Sequence, residues 1–173
     1  MVEVVLRAVR VDVGSSTPLL LLEEVNGSRV LPIFIGAPEA TAIAYALQNI
    51  AAPRPMSHDL LGNVITALGA QVFAIEITEL VDNTFHASLR LLRDGEEINV
   101  SARPSDAVAL ALRVGAPMMV NDALMDDASR LLVVDEDDED GEDDEEFEAV
   151  NEDELLAELR DFLDTVNPED FDL

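Results

Sequence analysis

"SARPSDAVALAL" (residues 101–112) decides how this chain is read, because "PEATAIAYAL" (residues 38–47) carries the same pattern. Aligning Glu39 with Asp106 gives an acid followed by Ala-x-Ala-(Ile or Leu)-Ala in both stretches. Each is preceded by a proline, Pro38 or Pro104, whose missing N–H and fixed φ suit a first helical turn. The acid then meets unpaired N–H groups and the positive end of the helix dipole, an interaction of about 0.3–1 kcal/mol at exposed sites. Small alanines beyond it let a helix lie close to a sheet or to another helix. Both stretches are therefore expected as helices, from Pro38 to about Asn49 and from Pro104 to Val114–Gly115.

Working outward, the alternation in Val2–Asp12 predicts one strand, and the apolar run Pro18–Val25 a second. Asn26-Gly27 predicts a type I′ hairpin turn with positive φ at both residues. "RVLPIFIG" (29–36) returns as a strand, and Pro32 within it points to an edge or a bulge, since proline cannot donate to a ladder. Ser57 is the expected N-cap of a helix through Leu68, which Gly69 stops. Strands are expected at 71–81 and 84–93, then a hairpin at Asp94-Gly95 and the strand "EEINVSA" (96–102). After the second alanine helix, "PMMVN" (117–121) reads as a short strand. "DALMDDASRLL" (122–132) reads as a weak helix or a loop.

The two halves share an order: strand, Asn-Gly or Asp-Gly turn, strand, loop, acid-initiated helix. From turn glycine to acid is 12 residues in one half (Gly27 to Glu39) and 11 in the other (Gly95 to Asp106). Duplication of a hairpin-plus-helix unit explains this, and so does coincidence between two alanine-rich helices. The expected fold class is α+β, a mixed or antiparallel sheet with hairpins and packed helices.

The 173 residues, 49% of them hydrophobic, suit one globular domain with an appendage. With no cysteine, disulfides and thiolate metal sites are excluded, which fits a reducing compartment. Charges interrupt the segment after Met1, so neither a signal peptide nor a membrane span is expected, and the chain is read as cytoplasmic. The net charge of -27 is unevenly spread: residues 135–173 hold 21 acids and one base, Arg160, against 16 acids and 9 arginines before them. Three segments follow: a globular domain over 1–134, an acidic linker over 135–150 and a C-terminal amphipathic helix with its tail over 151–173. The linker is self-repelling and expected to be disordered. It fails as an EF-hand, because with Gly141 as turn glycine the twelfth position is Phe147. The last segment has Asn151 as candidate cap and Leu155, Leu159, Phe162, Leu163 and Val166 on one face, suited to docking on its own core, a second copy or another protein.

No phosphate-binding glycine loop, His-Glu-x-x-His or G-x-S-x-G motif is present. His86 alternates with Phe85, Ala87 and Leu89 in "TFHASLRLL" (84–92) and is expected on the solvent face of a strand. His58 and Asp59 open a predicted helix after "RPMS" (54–57), where Asp59 could simply complement the dipole. Alternatively, several helix N-termini converge and gather Glu39, His58, Asp59 and Asp106 with Arg54 and Arg103. Carboxylates and an imidazole could then hold a divalent metal such as Mg that activates water, while arginines hold a phosphate.

"IGAPEATAIAYAL" (35–47), "RPMSHDLL" (54–61) with "ALGAQV" (67–72), "TFHASLRL" (84–91) and "ARPSDAVALALR" (102–113) resemble, in order and spacing, the bifunctional nuclease domain family. The resemblance spans Val2 to Leu132, through Gly36, Glu39, Arg54, Pro55, His58, Asp59, Leu60, Gly69, Arg103, Pro104, Ser105 and Asp106. It implies an α+β fold, a homodimer, and a nuclease acting on DNA and RNA. In that role His58, Asp59 and Asp106 are the candidate catalytic residues, Arg54, Arg103 and Ser105 the substrate-binding ones, and Glu39, Asp59 and Asp106 the metal ligands. Two positions depart from the family: His86 stands where members often have tyrosine, and Ser101 where they often have an acid, which removes one carboxylate from the site. The acidic chain, poor in basic residues, also suits a non-catalytic regulatory or binding module whose pocket takes a small ligand or a partner protein. Under either role the tail could compete with single-stranded DNA or RNA for Arg54 and Arg103.

Overall fold

Two antiparallel meanders, each followed by a helix, build the molecule. The first is β1 (Val2–Asp12), β2 (Thr17–Glu24) and β3 (Arg29–Phe34), then α1 (Ala37–Leu47). Helix α2 (Ser57–Ala67) leads into the second, β4 (Ala70–Val81), β5 (Thr84–Arg93) and β6 (Glu96–Ala102), then α3 (Pro104–Val114). β7 (Met118–Val120), α4 (Asp122–Ala128) and β8 (Arg130–Leu131) follow. The computed structural model describes residues 1–12, 14–50 and 52–131; the acidic linker, the C-terminal helix and the boundary near Val134 lie outside the described residues.

One sheet runs in the order β6-β5-β4-β7-β1-β2-β3-β8. β7 joins the meanders, antiparallel to β1 and parallel to β4, so the sheet is mixed and the fold is α+β. The likeness between halves extends one strand further than the hairpin-plus-helix unit seen in the sequence. Bulges in β1, between Leu6 and Ala8, and at two places in β4 bend these long strands.

The alanine stretches explain the packing. In α3, Ala107–Ala111 are 0–1% exposed, and the helix packs on α1, α2, β4 and β5. Small side chains permit that crowding. β2 is buried on both faces: Leu20 and Leu22 join the main core, while Leu19 and Leu21 pack with Val30 and Ala8 in a second cluster. That is why its sequence is a continuous apolar run rather than an alternation. Pro32 is tolerated because β8 pairs only with Arg29 and Val30, leaving the outer side of β3 open at the proline.

Two local expectations are corrected, and of the two alternatives for the segment after Asn121 the helix is the one that forms. Asp94 (φ 52°) and Gly95 (φ 84°) form the expected tight turn, and Asp82 (φ 47°) and Asn83 (φ 59°) form another. Asn26 and Gly27 do not adopt positive φ; the longer connection over residues 25–28 is held at its base by Arg29, whose Nε and Nη2 each bond Glu24 at 2.8 Å. A bidentate clamp replaces tight-turn geometry there. Met56, not Ser57, is the N-cap of α2, because the Asp59 carboxylate accepts from the Met56 N–H at 2.8 Å. The segment from Asp122 is a true helix, α4, capped by the Asn121 side chain, which accepts from the Ala123 N–H at 2.9 Å. Among the described residues no helix is long and apolar enough to cross a membrane.

Candidate active site

Each of three helices begins with an N-cap in extended conformation and an acid in its first turn: Glu39 in α1, Asp59 in α2 and Asp106 in α3. After N-cap Gly36, α1 opens Ala37-Pro38-Glu39, and after N-cap Arg103, α3 opens Pro104-Ser105-Asp106, so each acid is the third residue of its helix. Gly36 has ordinary φ (-77°), so its lack of a side chain matters for space: a Cβ there would run into Glu39 Oε2.

The beginnings of all three helices meet through Arg103 and Asp106. Arg103 Nε donates to Asp106 Oδ2 at 2.7 Å and its Nη2 to Oδ1 at 3.1 Å, while Nη2 also lies 2.7 Å from Glu39 Oε1. His58 Nε2, from the first turn of α2, is 3.1 Å from Asp106 Oδ1. Burial pushes the Asp106 carboxyl up, but hydrogen bonds from Arg103 and His58 outweigh it and hold the group below the usual carboxylate range. The same two carboxylates raise Arg103 further above its already high pKa, Asp106 first and Glu39 second. Asp106 therefore stays an anion, and an ionised carboxylate can only accept. A neutral His58 must donate Nε2–H to it, which leaves Nδ1 as the basic nitrogen. His58 is mostly buried, whereas the Arg103 side chain is 65% exposed and faces outward from the cluster.

Asp59 does not join this group. Consecutive helical residues point about 100° apart, and Asp59 turns away from His58 to Arg113 of α3, whose Nε donates to Asp59 Oδ1 at 2.5 Å. Arg113 is nearly buried and also donates to the carbonyls of Ala109, 2.8 Å, and Ala42, 2.9 Å, tying α1, α2 and α3 together. The Met56 amide first, and Arg113 with it, hold the Asp59 carboxyl below its usual range despite burial. Arg113 has no motif to mark it; its one signal in the sequence is a lone cation on an otherwise Ala- and Leu-rich helix, seven residues, two turns, after Asp106.

Glu39, Asp59 and Asp106 are thus not brought together as ligands. Among the described residues no three His, Asp or Glu side chains gather around a common point suited to a cation, and the carboxylates of Glu39 and Asp106 are already held by Arg103. The arrangement does not fit a divalent metal. Arg54 is exposed in the loop before α2, without a bond to the cluster, and Ser105 is buried at the start of α3. His86 is half-buried and its backbone carbonyl accepts from Thr78 Oγ1 at 3.3 Å, so it lies on the sheet, separate from the cluster's bonds.

A profile described as "Bifunctional nuclease domain" matches residues 20–132, a span that contains Glu39, His58, Arg103 and Asp106. An uncharacterized protein of Mycobacterium tuberculosis is 46% identical over 169 residues, covering 98% of this chain and 97% of its own. "Bifunctional nuclease 1" of Oryza sativa subsp. japonica is 30% identical over 106 residues, 60% of this chain and 32% of the rice protein. "Bifunctional nuclease 2" of Arabidopsis thaliana is 27% identical over 109 residues, 61% of this chain and 33% of its own. On the strength of a match that takes in both meanders' helices and every member of the cluster they bring together, this chain belongs to the bifunctional nuclease domain family.

Proposed function

We propose that the chain cleaves phosphodiester bonds in single-stranded DNA or RNA at the junction of α1, α2 and α3. The observation that carries this is the linked set His58–Asp106–Arg103–Glu39 in a member of a nuclease domain family. His58 Nδ1 takes the proton from the attacking hydroxyl, that of water or of a neighbouring ribose, as its oxygen bonds to phosphorus; the bond to the leaving oxygen breaks and that oxygen takes a proton from solvent water. Arg103 donates to the non-bridging oxygens, where charge accumulates. Asp106 acts as a positioning residue, fixing the tautomer of His58, and Glu39 holds Arg103 from the other side. Arg54 contacts a flanking phosphate from its exposed loop. Asp59 has a structural role through Arg113.

A positioned general base contributes roughly 10²–10⁴-fold. Incubating the full chain with labelled single-stranded oligonucleotides should show cleavage that falls at least about 100-fold in His58→Ala and is also lost in Arg103→Ala. Cleavage that survives both substitutions overturns the proposal. Binding without turnover in the unsubstituted protein would instead identify a non-catalytic module.

We further propose that the chain works as a homodimer. Leu60, Val64 and Leu68 recur at helical spacing along α2 and are 56%, 44% and 61% exposed, while only Ile65 of that helix is buried. An exposed apolar stripe of this kind is suited to an isologous interface.

A further inference from the structure

Beside Arg103, away from His58, lies a cavity of about 350 Å³. The end of β3, the β4–β5 turn and the start of α3 form its walls, contributing Phe34, Asn83, Phe85, Arg103 and Ser105. Its volume falls in the range of about 300–1,000 Å³ usual for small-molecule sites. Two of its lining residues present groups that a ligand could use. Phe34, the last residue of β3, is 61% exposed at the rim, although its neighbours Ile33 and Ile35 are buried. Ser105 is only 6% exposed as a residue, and the surface it keeps lines the cavity. That hydroxyl opens onto the cavity and is not sealed in the core, so it is free to bond a ligand there. No side chain caps α3, so the first-turn amides of Ser105 and Asp106 lack an N-cap acceptor.

We propose that this cavity is a nucleobase subsite: it receives one unpaired base of a single-stranded nucleic acid, stacked on Phe34, with the Ser105 hydroxyl and the Asn83 side chain bonding the base edge. Arg103, whose side chain lines the cavity and reaches the His58–Asp106 pair, holds the phosphate next to that base. The inference rests on the nuclease proposal for the identity of the ligand and adds to it a requirement for unstacked bases. A paired base cannot enter without leaving the helix, so duplex is excluded by shape. Aromatic stacking also adds affinity to the few phosphate contacts that an acidic protein offers.

The test uses the full chain and a short single-stranded oligonucleotide carrying 2-aminopurine and uncleavable phosphorothioate linkages, with fluorescence quenching as the readout of stacking. Binding with quenching is expected. Phe34→Ala should weaken it roughly 5- to 100-fold, and Phe34→Trp should restore it. Ser105→Ala should weaken binding several-fold while its melting temperature stays equal or rises, because a hydroxyl serving only the fold would not behave so. Phe34→Ala and Ser105→Ala proteins that bind and quench like the unsubstituted chain overturn the subsite, including the case in which Phe34→Ala alters only the oligomeric state. If such proteins still cleave in a His58-dependent manner, the nuclease proposal stands without the subsite. If quenching depends on Phe34 but no oligonucleotide is ever cleaved, the subsite stands and the nuclease proposal falls.

Discussion

Replacing Asp59 by asparagine should unfold the protein more readily without disabling its chemistry, and Asp106→Asn should do the reverse. Removing one partner of a buried ion pair costs roughly 3–5 kcal/mol, because the other charge is left uncompensated. Here the Arg113 side chain is 11% exposed, but Asp59 is 36% exposed and Arg113 keeps the Ala42 and Ala109 carbonyls. Solvent screening on the Asp59 side brings the expected loss down to about 2–3 kcal/mol. The Met56 amide adds little, since an asparagine side chain can still accept from it. For a chain of this size each kcal/mol moves the melting temperature by about 2–4 °C, so Asp59→Asn should melt roughly 4–12 °C lower. Urea denaturation supplies the free energy independently, provided the slope with denaturant is unchanged. Adding Arg113→Met should recover part of the loss, because it removes the stranded guanidinium. An Asp59→Asn protein that melts like the unsubstituted chain yet fails to cleave would refute this assignment and return Asp59 to the chemistry.

The acid limb of stability should follow the same carboxylates. Asp59 and Asp106 are held below the usual range, so the unfolded chain binds more protons as pH falls; their stabilisation is complete above the unfolded value of about 3.9 and is lost as pH drops through the folded one. Urea midpoints measured from neutral pH downward should decline in acid, less steeply in Asp59→Asn; stability that rises on acidification contradicts the sign. Gly36→Ala should leave the unfolding free energy within about 0.5 kcal/mol of the original, since φ is permissive, while its Cβ displaces the Glu39 carboxylate from Arg103 and slows cleavage. Leu60→Glu with Leu68→Glu should convert a dimer into monomers in sedimentation velocity; an unchanged mass removes α2 from the interface. With Arg54 and Arg103 as the proposed phosphate contacts, the logarithmic salt slope for single-stranded binding should be no steeper than about -1.4, which titrations at several ionic strengths would check.

Some of this was legible before any coordinates because it depends on local chemistry. Pro38 and Pro104 lie in the first turns of their helices, and Asp94-Gly95 turns where expected. Asn26-Gly27 carries the same kind of signal but lies next to Glu24 and Arg29, whose side chains clamp a longer loop. The turn dipeptide lost to an ion pair formed five residues apart. The strand β8 is two residues long and exists only by pairing with Arg29 and Val30, information that no local window contains.

The site was legible in part for a reason rooted in helix geometry. Acids at the starts of helices are explained by the dipole alone, so nothing in the sequence separates a cap from a catalytic group. Tertiary structure separates them by direction. His58 and Asp59 are neighbours in the chain, yet the roughly 100° between consecutive helical residues sends the imidazole to Asp106 and the carboxylate to Arg113 at the other end of α3. Asp59 is thereby spent on holding three helices together, and that hold keeps the N-termini of α1 and α3 close enough for one guanidinium, Arg103, to span Glu39 and Asp106. With neutral His58 this cluster carries two negative charges against one positive. It lacks the excess of cations that draws nucleic acid to a surface. Affinity then has to come from uncharged contacts, and the exposed ring of Phe34 beside Arg103 is where the fold offers one.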